Sequence, residues 1–114
     1  PANYHMLVER NRTVALSVDP KVNWSRPSID VLFESAAHAC RTHLIAVLLS
    51  GASKDGARGM RIVMEYGGVA IAQSPETAEF PLMPQAAIDE THLTYVVPPH
   101  EIAKLILDLC TNLS

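Results

Sequence analysis

The sequence predicts an α/β fold: a doubly wound, mostly parallel sheet in a three-layer, Rossmann-like arrangement, with a β-hairpin at its N-terminal end. Two observations support this prediction. Short apolar runs that lack alternation, at 44–49 and 69–73, are typical of strands buried on both faces. They alternate along the chain with segments whose apolar residues recur every three or four positions, as in amphipathic helices. This alternation favours parallel strands joined by right-handed helical crossovers, with helices on both faces of the sheet.

Composition limits the classes of protein that this chain can be. It has 114 residues, enough for one core, with 48% hydrophobic residues and a formal net charge of −3, which excludes a disordered protein. Nine Lys and Arg against 12 Asp and Glu leave no cationic surplus, so nucleic acid is not an expected partner. The longest apolar run, 44–49, falls far short of the about 20 residues of a membrane helix, so we expect no membrane insertion. Cys40 and Cys110 lie in apolar helical patterns and are interpreted as buried free thiols of a cytoplasmic protein.

The N-terminal part of the chain predicts a hairpin and then a helix. Residues 6–8 are apolar, a polar break that suits a tight turn follows at 9–12, and apolar residues then alternate through Val14, Leu16 and Val18. Ser28 then begins a helix, whose apolar positions form one buried stripe: Ile29, Leu32, Phe33, Ala36, Ala37 and Cys40.

The rest of the chain predicts three strands, the first two of them buried, and each is followed by a helix. The first strand is 44–49, and the small-residue loop 50–56 follows it. The later elements are a helix over 57–66 that ends at Gly67-Gly68, a strand at 69–73, a short helix at 85–89, a strand at 94–97 and a last helix after Pro98-Pro99.

This set of elements predicts a partial domain. A sheet of three parallel strands and a hairpin is small for four helices to pack against. Strand 44–49, buried on both faces, also needs neighbouring strands on both sides. We therefore expect strands to be missing from this chain, and the edge of strand 44–49 to pair with the missing N-terminal part of the domain or with another copy of the chain.

The loop 50–56 is the strongest candidate for a functional site, because sites in open α/β sheets form at the carboxyl ends of the strands. Asp55 stands at the junction of this loop with the next helix, where its carboxylate could cap a helix or accept a hydrogen bond from a histidine. The loop matches neither a phosphate-binding pattern nor a nucleophile elbow. The spacing of His38, Cys40 and His43 does not suit a metal site, so no metal or cofactor is expected.

The motifs in this chain, taken together and in order, resemble those of a known family. They are His5-Met6, Arg26-Pro27-Ser28-Ile29-Asp30-Val31-Leu32-Phe33, Leu49-Ser50-Gly51-Ala52-Ser53-Lys54-Asp55-Gly56-Ala57, Ala72-Gln73 and Phe80-Pro81-Leu82-Met83-Pro84-Gln85-Ala86-Ala87-Ile88. Over essentially its whole length the chain resembles the C-terminal part of the catalytic domain of the chemotaxis protein-glutamate methylesterases, the CheB family.

The resemblance implies a cytoplasmic serine hydrolase with a Ser-His-Asp triad and no cofactor. Such enzymes hydrolyse glutamate methyl esters on the cytoplasmic helices of chemoreceptors, and many also deamidate receptor glutamines. Asp55 occupies the position of the triad Asp, and the backbone N–H at Ala52 matches a position implicated in the oxyanion hole.

The family's Ser and His both precede the position equivalent to Pro1. Residues 1–114 are therefore interpreted as the C-terminal portion of the catalytic domain, and we expect no esterase activity from this chain alone. The alternative is a non-catalytic regulatory or interaction module that has kept the fold.

Overall fold

The structure, a computed structural model, describes residues 3–8, 12–17, 28–51 and 53–111. Its elements follow the predicted order of a hairpin and then alternating helices and strands: β1 (Asn3–Val8), β2 (Arg12–Ser17), α1 (Ile29–Cys40), β3 (Leu44–Leu48), α2 (Ala57–Glu65), β4 (Val69–Gln73), α3 (Leu82–Glu90), β5 (Tyr95–Val97) and α4 (Pro99–Thr111). Single 3₁₀ turns, Arg41–His43 and Pro75–Thr77, precede β3 and follow β4. Within these described ranges, no helix combines the length and the apolar character that crossing a membrane requires.

The described strands form one five-stranded sheet in the order β1-β2-β3-β4-β5. β1 pairs with β2 in antiparallel orientation, whereas the pairs β2–β3, β3–β4 and β4–β5 are parallel. Ala46 of β3 stands at the centre, opposite Ala15 on one side and Ala70 on the other. The predicted α/β class and mostly parallel sheet are therefore confirmed.

Helices cover both faces of this sheet, as predicted, but unevenly. Each crossover moves one strand further in the same direction, so right-handed connections place α1, α2 and α3 on the same face. Small strand residues on that face, such as Ala46 and Ala72, admit the fully buried side chains of Phe33, Met60 and Met83. The opposite face of the same strands carries branched residues that pack against α4: Val14, Ile45, Val47 and Ile71 against Ile102 and Cys110.

The prediction that strand 44–49 presents an open edge is wrong. Its observed counterpart β3 pairs along its whole length with β2, from Thr13↔Leu44 to Ser17↔Leu48, and pairs with β4 on its other side. β2 has two edges, and it uses one for its hairpin partner β1 and the other for β3. Alternation of side chains reports which faces of a strand are buried but not which strands are its neighbours, so this pairing could not be deduced from the pattern.

Two smaller expectations are also modified. Cys110 is a buried free thiol as predicted, but Cys40, the last residue of α1, is only half-buried. The third helix begins at Leu82 rather than at residue 85. Pro84 lies in the first turn of this helix, where the N–H that proline lacks would have no intrahelical partner. The next residue, Gln85, donates its N–H to the carbonyl of Pro81 at 2.9 Å.

Candidate active site

The N-termini of α1 and α2 lie side by side at the carboxyl edge of the sheet, because each helix follows one of two adjacent parallel strands. Ser28 is the N-cap of α1, and its hydroxyl accepts a hydrogen bond from the N–H of Val31. The N-cap of α2 is Gly56, which has a φ of 108° and no side chain with which to cap the helix. A Cβ at Gly56 would lie 2.8 Å from Cδ1 of Leu48, so both the backbone conformation and the close packing favour glycine here.

Asp55 reaches from the β3–α2 loop to the N-terminus of α1. Its Oδ2 accepts a hydrogen bond from the N–H of Ile29 at 2.8 Å, and its Oδ1 accepts one from the N–H of Asp30 at 3.0 Å. The hydroxyl of Ser28 donates to the same Oδ1 at 3.2 Å. Asp55 thus caps a helix, one of the two roles that the sequence left open, but the helix is α1 and not its own helix α2. The carboxylate lies at the end of α1 where the backbone N–H groups carry partial positive charge.

The bonds to Asp55 are unevenly divided between its two oxygens. From the residues that the structure describes, Oδ1 receives two donors and Oδ2 receives one. A carboxylate oxygen accepts two hydrogen bonds, so Oδ2 retains one acceptor position. Helix capping and acceptance of a further N–H are therefore compatible at this residue.

Asp30 is a second carboxylate at this junction, and the sequence analysis did not single it out as a functional residue. Its Oδ1 accepts hydrogen bonds from the N–H groups of Gly56 at 3.0 Å and Gly59 at 2.7 Å. Asp55 caps α1 while Asp30, a residue of α1, caps α2. Asp30 is an acidic residue in the first turn of α1, which is normally explained by the dipole of its own helix. The sequence therefore gave little indication that Asp30 caps the neighbouring helix α2.

The start of the loop 50–56 is held by the segment that follows β4. The side chain of Gln73 is 6% exposed, and its Oε1 accepts a hydrogen bond from the N–H of Ser50 at 3.0 Å. The N–H of Gly51 donates to the carbonyl of Phe80 at 2.8 Å, and the carbonyl of Gly51 accepts from the N–H of Met83 at 2.9 Å. A Cβ at Gly51 would overlap the end of the Met83 side chain, so a larger residue here would force that side chain to move. Ala52, the predicted oxyanion donor, lies outside the described residues, and its role stays a prediction.

Two surface grooves lie beside this loop, and both include residues from the N-terminal half of α3. The first, of about 450 Å³, is apolar and is lined by Phe80, Pro81, Leu82 and Gln85. The second, of about 530 Å³, also includes Leu82 and Gln85 but is lined by charged side chains of both signs: Asp30, Lys54, Arg58, Asp89 and Glu90. Both grooves are open to solvent at the edge of the sheet that carries Asp55.

The histidine and cysteine residues that were weighed as metal ligands lie elsewhere. In the part of the chain that the structure describes, no three His, Cys, Asp or Glu side chains are grouped closely enough to hold a metal ion. His38 is exposed on α1, and its Nδ1 lies 3.1 Å from the hydroxyl of Tyr66. This histidine makes its contact at the end of α1 opposite the one that Asp55 caps.

The Gln73 anchor can be tested by stability. Replacing Gln73 with the similarly shaped but apolar Met leaves the N–H of Ser50 without its acceptor, and we expect the free energy of unfolding to fall by about 1–3 kcal/mol. Urea denaturation followed by circular dichroism measures this change. The matched control is Gln85→Met, since the side chain of Gln85 is exposed and its described hydrogen bond is with the exposed Asp89; its effect should stay within about 0.5 kcal/mol. Equal stabilities of the two variants would contradict the anchoring role.

The fold and the site indicate a class of protein, and similarity to known proteins identifies the family of this chain. The parallel α/β sheet with a carboxylate at its carboxyl edge is the framework of many α/β hydrolytic domains. The CheB methylesterase family matches residues 1–106, and the chain belongs to this family, as the sequence motifs predicted.

Curated relatives and a solved structure agree with this assignment. The chain is 47% identical over 112 residues to a putative protein-glutamate methylesterase/protein-glutamine glutaminase of Leptospira interrogans, covering 98% of this chain and 58% of that protein. It is 34% identical over 113 residues to the protein-glutamate methylesterase/protein-glutamine glutaminase of Clostridium acetobutylicum, covering 99% of this chain and 33% of that protein. The crystal structure of the Thermotoga maritima CheB methylesterase catalytic domain superposes with a TM-score of 0.71 at 31% identity, covering 95% of this chain and 58% of that one. The chain thus spans little more than half of that catalytic domain.

Proposed function

We propose that this chain provides the aspartate-bearing part of a protein-glutamate methylesterase that hydrolyses glutamate methyl esters on the cytoplasmic helices of chemoreceptors. Deamidation of glutamine side chains, the second activity in the names of the relatives, is the same acyl transfer with ammonia in place of methanol as the leaving group. The observation that carries the proposal is the placement of Asp55, which is fixed by three hydrogen bonds at the carboxyl edge of the sheet and retains one acceptor position on Oδ2.

In this proposal Asp55 orients a histidine. The free position on Oδ2 accepts the N–H of the imidazole, which fixes the tautomer so that the other ring nitrogen faces the serine hydroxyl. That nitrogen takes the hydroxyl proton as the serine oxygen attacks the ester carbonyl, and it returns the proton to the departing methanol. Water then hydrolyses the acyl-enzyme by the same route and releases the glutamate carboxylate. Asp55 remains ionised throughout and stabilises the imidazolium.

The serine and the histidine of this triad are proposed to come from outside the chain. The hydroxyls of Ser50 and Ser74 make their described hydrogen bonds with Phe80 and Thr77, and the hydroxyl of Ser53 accepts one from the N–H of Asp55. None of these described contacts joins a serine to a histidine. The proposed partner of this chain is therefore the remaining part of the domain, which supplies both residues. The N–H of Ala52 is the proposed oxyanion donor.

A second candidate function is a regulatory or interaction module that has kept the fold without the chemistry. The bonds from Asp55 to α1 favour it, because a helix cap is a sufficient structural reason for this residue. The two functions differ in whether completing the domain restores turnover.

The test compares the chain alone with the chain fused, at its amino end, to the part of the Leptospira relative that lies outside the match. Methanol release from a glutamate-methylated receptor peptide is the measurement. We expect no release above the buffer rate from the 114-residue chain, and release from the fusion that requires Asp55. Turnover by the chain alone would refute the division of the triad. A folded fusion that binds the peptide without hydrolysing it would refute the esterase and favour the interaction module.

A further inference from the structure

Asp30 and Asp55 form a closed ring of contacts that joins the N-termini of the two helices. The N–H of Asp30 donates to Oδ1 of Asp55 at 3.0 Å, and the residue after Asp55, Gly56, donates its N–H back to Oδ1 of Asp30 at 3.0 Å. Gly59, one turn into α2, adds a second donor to Asp30 at 2.7 Å. We propose that Asp30 is a positioning residue for Asp55: it fixes the start of α2, and through it the loop from which Asp55 reaches α1. The catalytic consequence rests on the function proposed for Asp55.

The dependence of α2 on Asp30 follows from the residue at its N-cap. Because Gly56 has no side chain, the first N–H groups of α2 need an acceptor from elsewhere in the fold. Asp30 provides it with an ionisable carboxylate, and such charge-assisted bonds are shorter and stronger than neutral ones. Without the Asp30 carboxylate, the N–H groups of Gly56 and Gly59 lose their acceptor on α1, and the loop that carries Asp55 loses one of its attachments to that helix.

The packing around Gly59 makes this attachment rigid. A Cβ at Gly59 would lie 3.1 Å from Cα of Asp30 and 2.8 Å from Cβ of Phe33, so the backbones of α1 and α2 are already in close approach. The carboxylate of Asp30 therefore spans a short distance that leaves little freedom to either helix. A triad is sensitive to displacements of this kind, because a shift of about 1 Å in a catalytic group can cost about 100-fold in rate.

The first test follows amide hydrogen exchange of the 114-residue chain by NMR. The N–H groups of Gly56 and Gly59 report the Asp30 contact, while the N–H of Ile29 bonds only Asp55. In Asp30→Ala we expect protection at all three to fall by about tenfold or more, since the charge-assisted bonds are lost and the loop moves. In Asp30→Asn, whose amide oxygen can still accept from Gly56 and Gly59, protection at Ile29 should stay within about threefold of the original chain.

Two further variants make the result specific. Asp89→Ala is the matched control, since Asp89 is an exposed aspartate whose described side-chain hydrogen bond is with Gln85, and its loss should leave Ile29 unaffected. Asp30→Glu keeps the charge but moves the carboxylate outward by one methylene, and we expect it to lower protection at Ile29. This variant tests the proposal in the event that Asp30→Ala does not fold. If Gly56 and Gly59 lose protection while Ile29 keeps it, Asp30 only caps α2 and the proposal is overturned.

The second test measures the fusion described above. Asp30→Ala should lower kcat by about 100-fold with KM nearly unchanged, and Asp30→Asn should recover most of the loss, because Asp30 acts through the placement of Asp55 and not on the substrate. A loss confined to KM would overturn the catalytic part of the proposal. If the original fusion never hydrolyses the ester but Ile29 still responds to Asp30, the function of the site is refuted while the positioning contact stands.

Discussion

Asp55→Asn is expected to lower kcat of the completed enzyme by about four orders of magnitude while leaving the chain folded. The amide oxygen of Asn can replace only one of the two carboxylate oxygens, and its NH₂ group faces either the N–H of Ile29 or the N–H of Asp30. In the place of Oδ2, the NH₂ group cannot accept the imidazole N–H and instead donates to the ring nitrogen, so the histidine adopts the wrong tautomer. We expect the free energy of unfolding to fall by about 1–3 kcal/mol, from one unsatisfied donor at the start of α1.

The measurements for Asp55 are methanol release by the fusion and urea denaturation of the 114-residue chain. Asp108→Asn is the control for both, since it makes the same chemical change at an exposed aspartate of α4, the helix on the opposite face of the sheet. Asp55→Ala should be less stable than Asp55→Asn, because it removes every acceptor from Ile29, Asp30 and Ser28. Turnover by Asp55→Asn at the original rate would show that Asp55 is a helix cap and not an orienting carboxylate.

Helices and strands whose bounds depend on their own residues were predicted closely. The strand over 69–73 was placed at the bounds that β4 has, because an apolar run flanked by Gly68 and Pro75 indicates both the burial and the ends of the strand. The start of α1 was also correct, since Ser28 is a strong N-cap residue before a clear apolar stripe. In both cases the deciding interactions are local in the chain.

Contacts between distant parts of the chain were not predictable from these patterns. The three groups that hold Asp55 lie 25, 26 and 27 residues before it, and they reach it only because α1 packs against α2 at Gly59. The role of Asp30 depends on the same approach. The family resemblance identified Asp55 as a candidate but contained no information on which helix its carboxylate caps.

Phe33→Ala is expected to have the largest effect on stability in the described part of the chain. Phe33 is a residue of α1, and its side chain is fully buried against α2 and the alanine-rich face of the sheet. Truncating such a residue costs about 3–5 kcal/mol. The total stability of a domain is about 5–15 kcal/mol, so this loss is a large share of it. Val31→Ala is the control on the same helix, because Val31 is 54% exposed and its truncation should cost no more than about 0.5 kcal/mol.

Phe33 is also expected to affect the site, although it touches none of the proposed catalytic groups. Its Cβ lies where Gly59 approaches α1. A cavity there would loosen the packing of α1 on α2 that brings the Asp30 carboxylate to the N–H of Gly59. In urea denaturation, Phe33→Ala should shift the midpoint far below that of Val31→Ala. In hydrogen exchange, it should lower protection at Ile29 and Gly59 under conditions where the chain is still folded. Loss of stability with unchanged protection at these two amides would show that the cross-capped helix ends are held independently of the core beneath them.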